Sequence, residues 1–232
     1  MSALVDICGL CKAYDSTMVL NNVNLTMDAG RIVGLVGPNG CGKTTLFKIM
    51  AGLIRDYSGV IQIDGQEVGI HTKSITSYLP EITYLSDSIR LKTALDMFTD
   101  FYPDFDRNKA LEMTARFNLD PKMKIKTMSK GMKEKLQLIL VMSRAARLYL
   151  LDEPISGVDP AARDVILDII LKNYSENATV VLSTHLIYDV ERIFDDIIIM
   201  GYGQIMAADS ADAMREKSGL SLNDYFREVF KC

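Results

Sequence analysis

The chain has 232 residues, a length that suits one large domain or two closely joined lobes. Hydrophobic residues make up 48% and charged residues 24%, which excludes a disordered chain. Lys plus Arg number 26 against 30 Asp plus Glu, a formal net charge of -4; this argues against a non-specific nucleic-acid binder and removes the simplest attraction to an acidic lipid surface.

Residues 4–27 read as short strands with turn residues at Asn21 and Asn22. Cys8 and Cys11 form a lone CxxC there, without a second pair or a nearby His, so alternation with Val5, Ile7 and Leu10 favours strand thiols over a zinc site. Residues 32–36 are a short apolar strand. A glycine-rich loop follows, then a helix over 43–53. Residues 60–63 read as a strand entering a turn at Asp64-Gly65, and 77–79 close another before Pro80. The period turns helical over 91–146, with one break near 118–126. Residues 148–151 and 179–182 are buried strands. A helix over 160–174 lies between them, with Asp159 as N-cap and Pro160 in its first turn. Residues 197–206 read as a hairpin through Gly201-Tyr202-Gly203. In the tail, Leu222, Tyr225, Phe226, Val229 and Phe230 have amphipathic helical spacing. No run free of Asp, Glu, Lys and Arg exceeds 12 residues, well below the roughly 20 apolar residues of a spanning helix. The start carries no basic segment followed by an apolar one, so a cytoplasmic protein with reduced thiols is expected.

Alternating strands and helices indicate an α/β class. Within it, Gly37-Pro38-Asn39-Gly40-Cys41-Gly42-Lys43-Thr44 has glycine, four residues, Gly-Lys and a hydroxyl residue, between an apolar strand and a helix. Glycines at 40 and 42 let backbone N–H groups turn toward phosphate oxygens, and the helix N-terminus adds its positive end. Lys43 suits the β- and γ-phosphates, and Thr44 can ligate Mg²⁺. A chain of this length shows the pattern by chance about 1% of the time, so a nucleotide-phosphate loop is the stronger reading. The strand at 148–151 ends in Asp152-Glu153, where open sheets bind ligands. Asp152 suits Mg²⁺ and Glu153 suits a general base acting on water.

The order of these motifs, over nearly the whole chain, resembles the ATP-binding cassette (ABC), the ATPase subunit of ABC transporters. Tyr14 lies in Lys12-Ala13-Tyr14, where such cassettes stack an aromatic on adenine; taken alone it reads as a packed strand tyrosine. Gly30-Arg31-Ile32-Val33-Gly34-Leu35-Val36 leads into the loop as in that family, and Asn39 is usual there. Met128-Ser129-Lys130-Gly131-Met132 resembles the signature loosely. Ser129 and Gly131 match the common Leu-Ser-Gly-Gly-Gln, while Lys130 and Met132 depart from it in a manner similar to exporter-type cassettes. Ser156-Gly157-Val158-Asp159 resembles the loop that crosses the dimer interface, so Asp159 is a helix cap, an interface residue or both. His185 resembles the switch histidine, whereas His71 reads as solvated in a loop. The family's Gln after the 77–79 strand is replaced by Glu81, which keeps an oxygen ligand but adds negative charge.

The resemblance implies a P-loop NTPase with a parallel-sheet ATP-binding core, an antiparallel β subdomain and a helical subdomain over about 84–146, in one domain spanning 1–232. It implies ATP and Mg²⁺ as cofactors. Glu153, His185 and Glu81 would be catalytic, and Thr44, Asp152 and Glu81 would hold metal. Tyr14, Gly37, Asn39, Gly40, Cys41, Gly42, Lys43, Thr44, Thr45, Ser129, Gly131 and Asp159 would bind nucleotide. Two cassettes, as homodimer or heterodimer, would sandwich ATP and drive a separate membrane-spanning subunit, with no nucleic-acid partner and no insertion of this chain into the bilayer. The aromatic cluster Phe98, Phe101, Tyr102 and Phe105 reads as helical core, and by resemblance as the floor of a groove for that subunit. A thiol at Cys41 would make activity sensitive to alkylation. A weakly hydrolysing regulatory or soluble ABC-type ATPase is the alternative; a small-molecule kinase would leave Ser129 and His185 unexplained.

Overall fold

Alternation in the first strands builds one wall of the molecule. β1 (Ala3–Tyr14) and β2 (Thr17–Asp28) bury Val5, Ile7, Leu10, Leu20, Val23, Leu25 and Met27 on one face and expose most residues between them. They pair antiparallel, and with β4 (Ser58–Ile63) and β5 (Gln66–Glu67) form a four-stranded sheet in the order β2-β1-β4-β5. This computed structural model describes residues 3–156, 160–175 and 177–230.

The second sheet is the one that positions the site. β3 (Ile32–Val36), β6 (Thr76–Leu79), β7 (Leu148–Asp152), β8 (Thr179–Thr184) and β9 (Asp196–Gly201) run parallel, with β10 (Gln204–Ser210) antiparallel at the edge. The order is β10-β9-β3-β8-β7-β6. β3, β7 and β8 are buried along their whole length because both faces are covered. Leu148 and Leu150 pack on one side with Leu46 and Phe47 of α1 (Lys43–Met50) and with the first sheet. Tyr149 and Leu151 pack on the other side, in the core that includes the helices. Truncating Phe47 to Ala would cost about 3–5 kcal/mol, because this slot between two sheets is fully buried.

α1 is shorter than the expected 43–53. Gly52 takes φ +68, and its N–H and that of Leu53 turn back to the carbonyls of Ile49 and Lys48, a left-handed stop just past Met50. α2 (Ile70–Ile75) was not expected; His71 lies on it, half exposed and 3.8 Å from Asp64, rather than in a loop. The first turn lies at Asp15-Ser16, not at Asn21-Asn22. Asn22 instead adopts φ +53 inside β2, and Asn21 N–H bonds the Gly203 carbonyl of the β9–β10 hairpin. Asparagine tolerates that backbone, so the signal was real but marks an irregularity within a strand.

The helical stretch breaks twice: α3 (Leu91–Phe101) and α4 (Arg107–Arg116) precede α5 (Lys130–Met142). The missed break contains Pro103, and Asp106 Oδ1 accepts from Lys109 N–H at 3.0 Å to open α4. α6 (Pro160–Asn173) begins at the expected proline, but the Asp159 cap lies outside the described residues. α7 (Ile187–Val190) and α8 (Ala211–Ser218) were also not anticipated, while α9 (Leu222–Phe230) has the expected bounds. Cys8 and Cys11 lie on β1, and Cys11 Sγ accepts from Asn22 N–H at 3.1 Å. No described helix is long and apolar enough to cross a membrane.

Candidate functional site

Parallel strands deliver their following loops to one side of a sheet. Here those loops are 37–42 after β3, 80–83 after β6, 153–156 after β7 and the His185 segment after β8.

The loop at 37–42 is shaped by its glycines. Gly42 takes φ +110 immediately before α1, and a Cβ there would sit 2.9 Å from the Val19 carbonyl oxygen; a Cβ on Gly37 would meet the Met200 carbonyl at 2.2 Å. Lys43, buried at 6% exposure, donates from Nζ to the carbonyls of Gly37 at 2.8 Å and Pro38 at 3.2 Å. Its ammonium thus sits inside the loop that leads into α1. Asn39, Gly40, Gly42, Lys43, Thr44 and Thr45 line a cavity of about 400 Å³ with Tyr14, Val19, Glu81, Glu153, Ser156 and His185. Cys41 is not in that lining. Its thiol is 5% exposed, and burial raises its pKa despite the opposing pull of Lys43. Burial and the raised pKa both oppose the expectation of an alkylation-sensitive thiol.

Across the cavity, β7 ends in the two acids. Asp152 is buried, with Oδ1 accepting from Ser183 Oγ at 2.7 Å and Oδ2 from the Tyr78 hydroxyl at 3.4 Å. Burial first, and Asp152 second, raise the Tyr78 pKa well above its ordinary value, which keeps it a donor. Glu153 adopts φ +51, unusual for a non-glycine residue. Its N–H bonds Ser183 Oγ at 3.0 Å and the Ser183 carbonyl at 3.2 Å, so that backbone is held from β8. The Glu153 side chain is 7% exposed. Oε2 lies 2.9 Å from His185 Nδ1 and Oε1 lies 3.7 Å from Lys43 Nζ, without a hydrogen-bond partner of its own among the described residues. An ionised carboxylate only accepts, so Nδ1 carries the proton and Nε2 keeps its lone pair or a second proton for another group.

Glu81 follows β6 and is exposed, and it lines this cavity and a second one of about 300 Å³. The second cavity adds Lys130, Lys133, Glu134 and Gln137 of α5 to Asp152 and Glu153. Among the described residues Glu134 Oε2 and Gln137 Nε2 have no hydrogen-bond partner, and burial raises the Glu134 pKa. Ser129 caps α5, its Oγ accepting from Met132 N–H at 3.3 Å; Gly131 has open space where a Cβ would be. Neither residue lines the cavity of the phosphate-type loop. Asp159 lies outside the described residues.

The reading of the sequence missed Ser183 and Tyr78, which hold the acidic pair. Ser183 is a hydroxyl residue in the apolar run of β8, and the register places it opposite Asp152. Knowing that β8 and β7 are neighbours was needed to use that signal.

An apolar parallel strand, a glycine loop threaded by a lysine and two acids at the end of β7, one strand removed from β3 in the sheet, define a P-loop nucleotide-binding ATPase. The ABC transporter family model matches residues 20–156, more than half of the chain, and the chain belongs to that family. It is 32% identical to the ABC transporter ATP-binding protein YtrB of Bacillus subtilis over 217 residues, 92% of this chain and 74% of that protein. It is 29% identical to the lipopolysaccharide export system ATP-binding protein LptB of Haemophilus influenzae, over 96% of each chain. The solved structure of an ATP-binding subunit of an ABC transporter matches with a TM-score of 0.89 at 27% identity, covering 98% of this chain and 99% of that one. A nucleotide-free ATP-binding cassette shares the fold at a TM-score of 0.78 and 16% identity. The chain is accordingly an ATP-binding subunit of the ABC transporter class, an ATPase whose turnover serves transport with a membrane partner.

Proposed function

We propose that two cassettes, this chain with a second copy or with a close relative, close on ATP head to tail. Lys43, Thr44, Thr45, Gly37, Asn39, Gly40, Cys41 and Gly42 of one cassette would cradle the triphosphate through backbone and side chain, with Tyr14 against the base. Ser129, Gly131 and Asp159 of the facing cassette would complete the site. The observation that carries this reading is the separation of the residues. Lys43, Glu153 and His185 face one cavity, while Ser129 stands exposed at the start of α5, outside it. A hydroxyl and N–H groups at a helix N-terminus suit a phosphate arriving from another chain. We read residues 1–232 as one such cassette, with 84–146 as its helical subdomain.

Hydrolysis is assigned to this chain's own groups. Glu153 accepts a proton from the attacking water, His185 orients Glu153 through Nδ1–H and, in its doubly protonated form, donates Nε2–H toward the γ-phosphate, and Glu81 lines the same cavity. Thr44, Asp152 and Glu81 supply one hydroxyl and two carboxylates for Mg²⁺. Among the described residues no three His, Cys, Asp or Glu side chains gather as a metal cage. Mg²⁺ bound through few protein ligands, with phosphate and water completing its shell, fits that donor set, and the ion would neutralise phosphate charge. ATP contacts across the interface favour closure, and hydrolysis removes them.

The membrane-spanning subunit would dock on a groove of about 440 Å³ beside α3, where Leu53, Met97 and Phe101 stand exposed over Phe98 and Tyr102. An amphipathic helix of the partner suits such a floor. The chain would then work at the cytoplasmic face of the membrane, held there by its partner. Outward transport is favoured by Lys130 in the signature segment and by relatives named for export. The test is nucleotide binding by Lys43→Ala: we expect at least a tenfold loss of ATP affinity, as for removal of a charge-assisted contact, and an unchanged affinity contradicts the reading.

A further inference from the structure

Lys12 is buried at 6% exposure, an uncommon place for a lysine. Its Nζ lies 3.0 Å from Asp56 Oδ2, but the Asp56 side chain is 99% exposed. A pair with one partner fully in solvent is worth little, and does not by itself account for burying the ammonium. The second contact of Lys12 is the ring of Tyr14: Nζ stands 4.8 Å from its centroid. Tyr14 is 45% exposed, and lines the cavity that holds the glycine loop.

We propose that Lys12 is a positioning residue for the nucleobase, fixing the plane of Tyr14 so that one ring face is backed by the ammonium and the other is offered to the base of the nucleotide. This rests on reading Tyr14 as the base platform. A cation over one face restrains the ring and draws electron density from it, which favours stacking of an electron-rich purine on the opposite face. Base stacking on an aromatic is itself a sizeable contribution to affinity, so holding the ring in place beforehand is useful. The same ammonium reaches Asp56 in the connection between α1 and β4. One side chain thus touches both the base wall and the segment that joins α1 to β4.

The experiment compares binding of ATP with binding of inorganic tripolyphosphate, which has no base. Lys12→Met keeps the apolar stem and removes the charge; it is expected to weaken ATP by about threefold to tenfold and leave tripolyphosphate unchanged. Lys12→Arg restores ATP affinity. Adding Lys12→Met to Tyr14→Ala costs nothing further for ATP, since the ring through which Lys12 acts is gone. Lys12→Gln serves the same comparison if Lys12→Met melts early. Equal losses on both ligands, no loss on ATP, or additive losses in the double variant overturn the inference. If Tyr14→Ala weakens ATP while Lys12→Met does not, this inference alone falls. If Tyr14→Ala leaves ATP affinity intact, the base-platform reading falls and takes this inference with it.

Discussion

Glu153 and His185 are joined at 2.9 Å across two strand ends, so the acid that follows β7 is aimed by the histidine that follows β8. The aim depends on the left-handed backbone at Glu153, and that backbone is itself anchored by Ser183.

Ser183 therefore has an effect out of proportion to its size. Its hydroxyl donates to Asp152 and accepts from Glu153 N–H. Ser183→Ala leaves a buried carboxylate short of a donor, and we expect a stability loss of about 1.5–3 kcal/mol. Turnover should fall by more than KM for ATP rises, because Glu153 loses a backbone anchor while Asp152 keeps its Tyr78 partner. Thermal melting and steady-state ATPase kinetics check this; a wild-type kcat contradicts it.

Glu81 adds a carboxylate to a cavity that already holds Asp152 and Glu153. Glu81→Gln removes that charge and keeps an oxygen ligand. We expect turnover to rise by about twofold to tenfold and the Mg²⁺ concentration for half-maximal rate to rise with it. A rate and Mg²⁺ dependence both equal to wild type remove Glu81 from the mechanism.

Cys41 illustrates what a linear motif hides. Its place in the glycine loop suggests exposure, but the fold turns it inward, away from the cavity lining. A raised pKa means less thiolate at any given pH, so alkylation should be slow at pH 7 and accelerate toward pH 9. In a variant with Cys8, Cys11 and Cys232 replaced by Ser, maleimide labelling of Cys41 should lag far behind a free thiol until the chain is unfolded. Rapid labelling at pH 7, with loss of ATPase activity, contradicts this placement.

Phe101 is 73% exposed on α3, beside the groove assigned to the membrane partner. Phe101→Asp should change stability by no more than about 0.5 kcal/mol, as for an ordinary surface site, and leave the ATPase rate of the isolated chain unchanged. Capture of the membrane subunit should be lost. Undiminished capture moves the docking surface elsewhere.

Much of the site was legible because its chemistry stands at the ends of apolar runs. Lys43 comes after residues 32–36 and the glycine loop, Asp152 and Glu153 follow residues 148–151, and His185 comes soon after residues 179–182, each run short and uncharged. The supporting groups were not legible in the same way. Ser183 and Tyr78 matter because β8 and β6 flank β7, an adjacency between segments far apart in the chain. The same limit explains the Asn21-Asn22 reading. Local propensity marked an unusual backbone correctly, and contact with the β9–β10 hairpin decided that it would be an irregular strand and not a turn.

If ATP draws two cassettes together, light scattering on Glu153→Gln will register it as a change of mass. With hydrolysis blocked, ATP and Mg²⁺ should shift the purified variant from one chain to two, alone or with its relative, and adding Lys43→Ala or Ser129→Ala should abolish the shift. A Glu153→Gln protein that binds ATP and keeps the mass of a single chain, with or without that relative, contradicts the account.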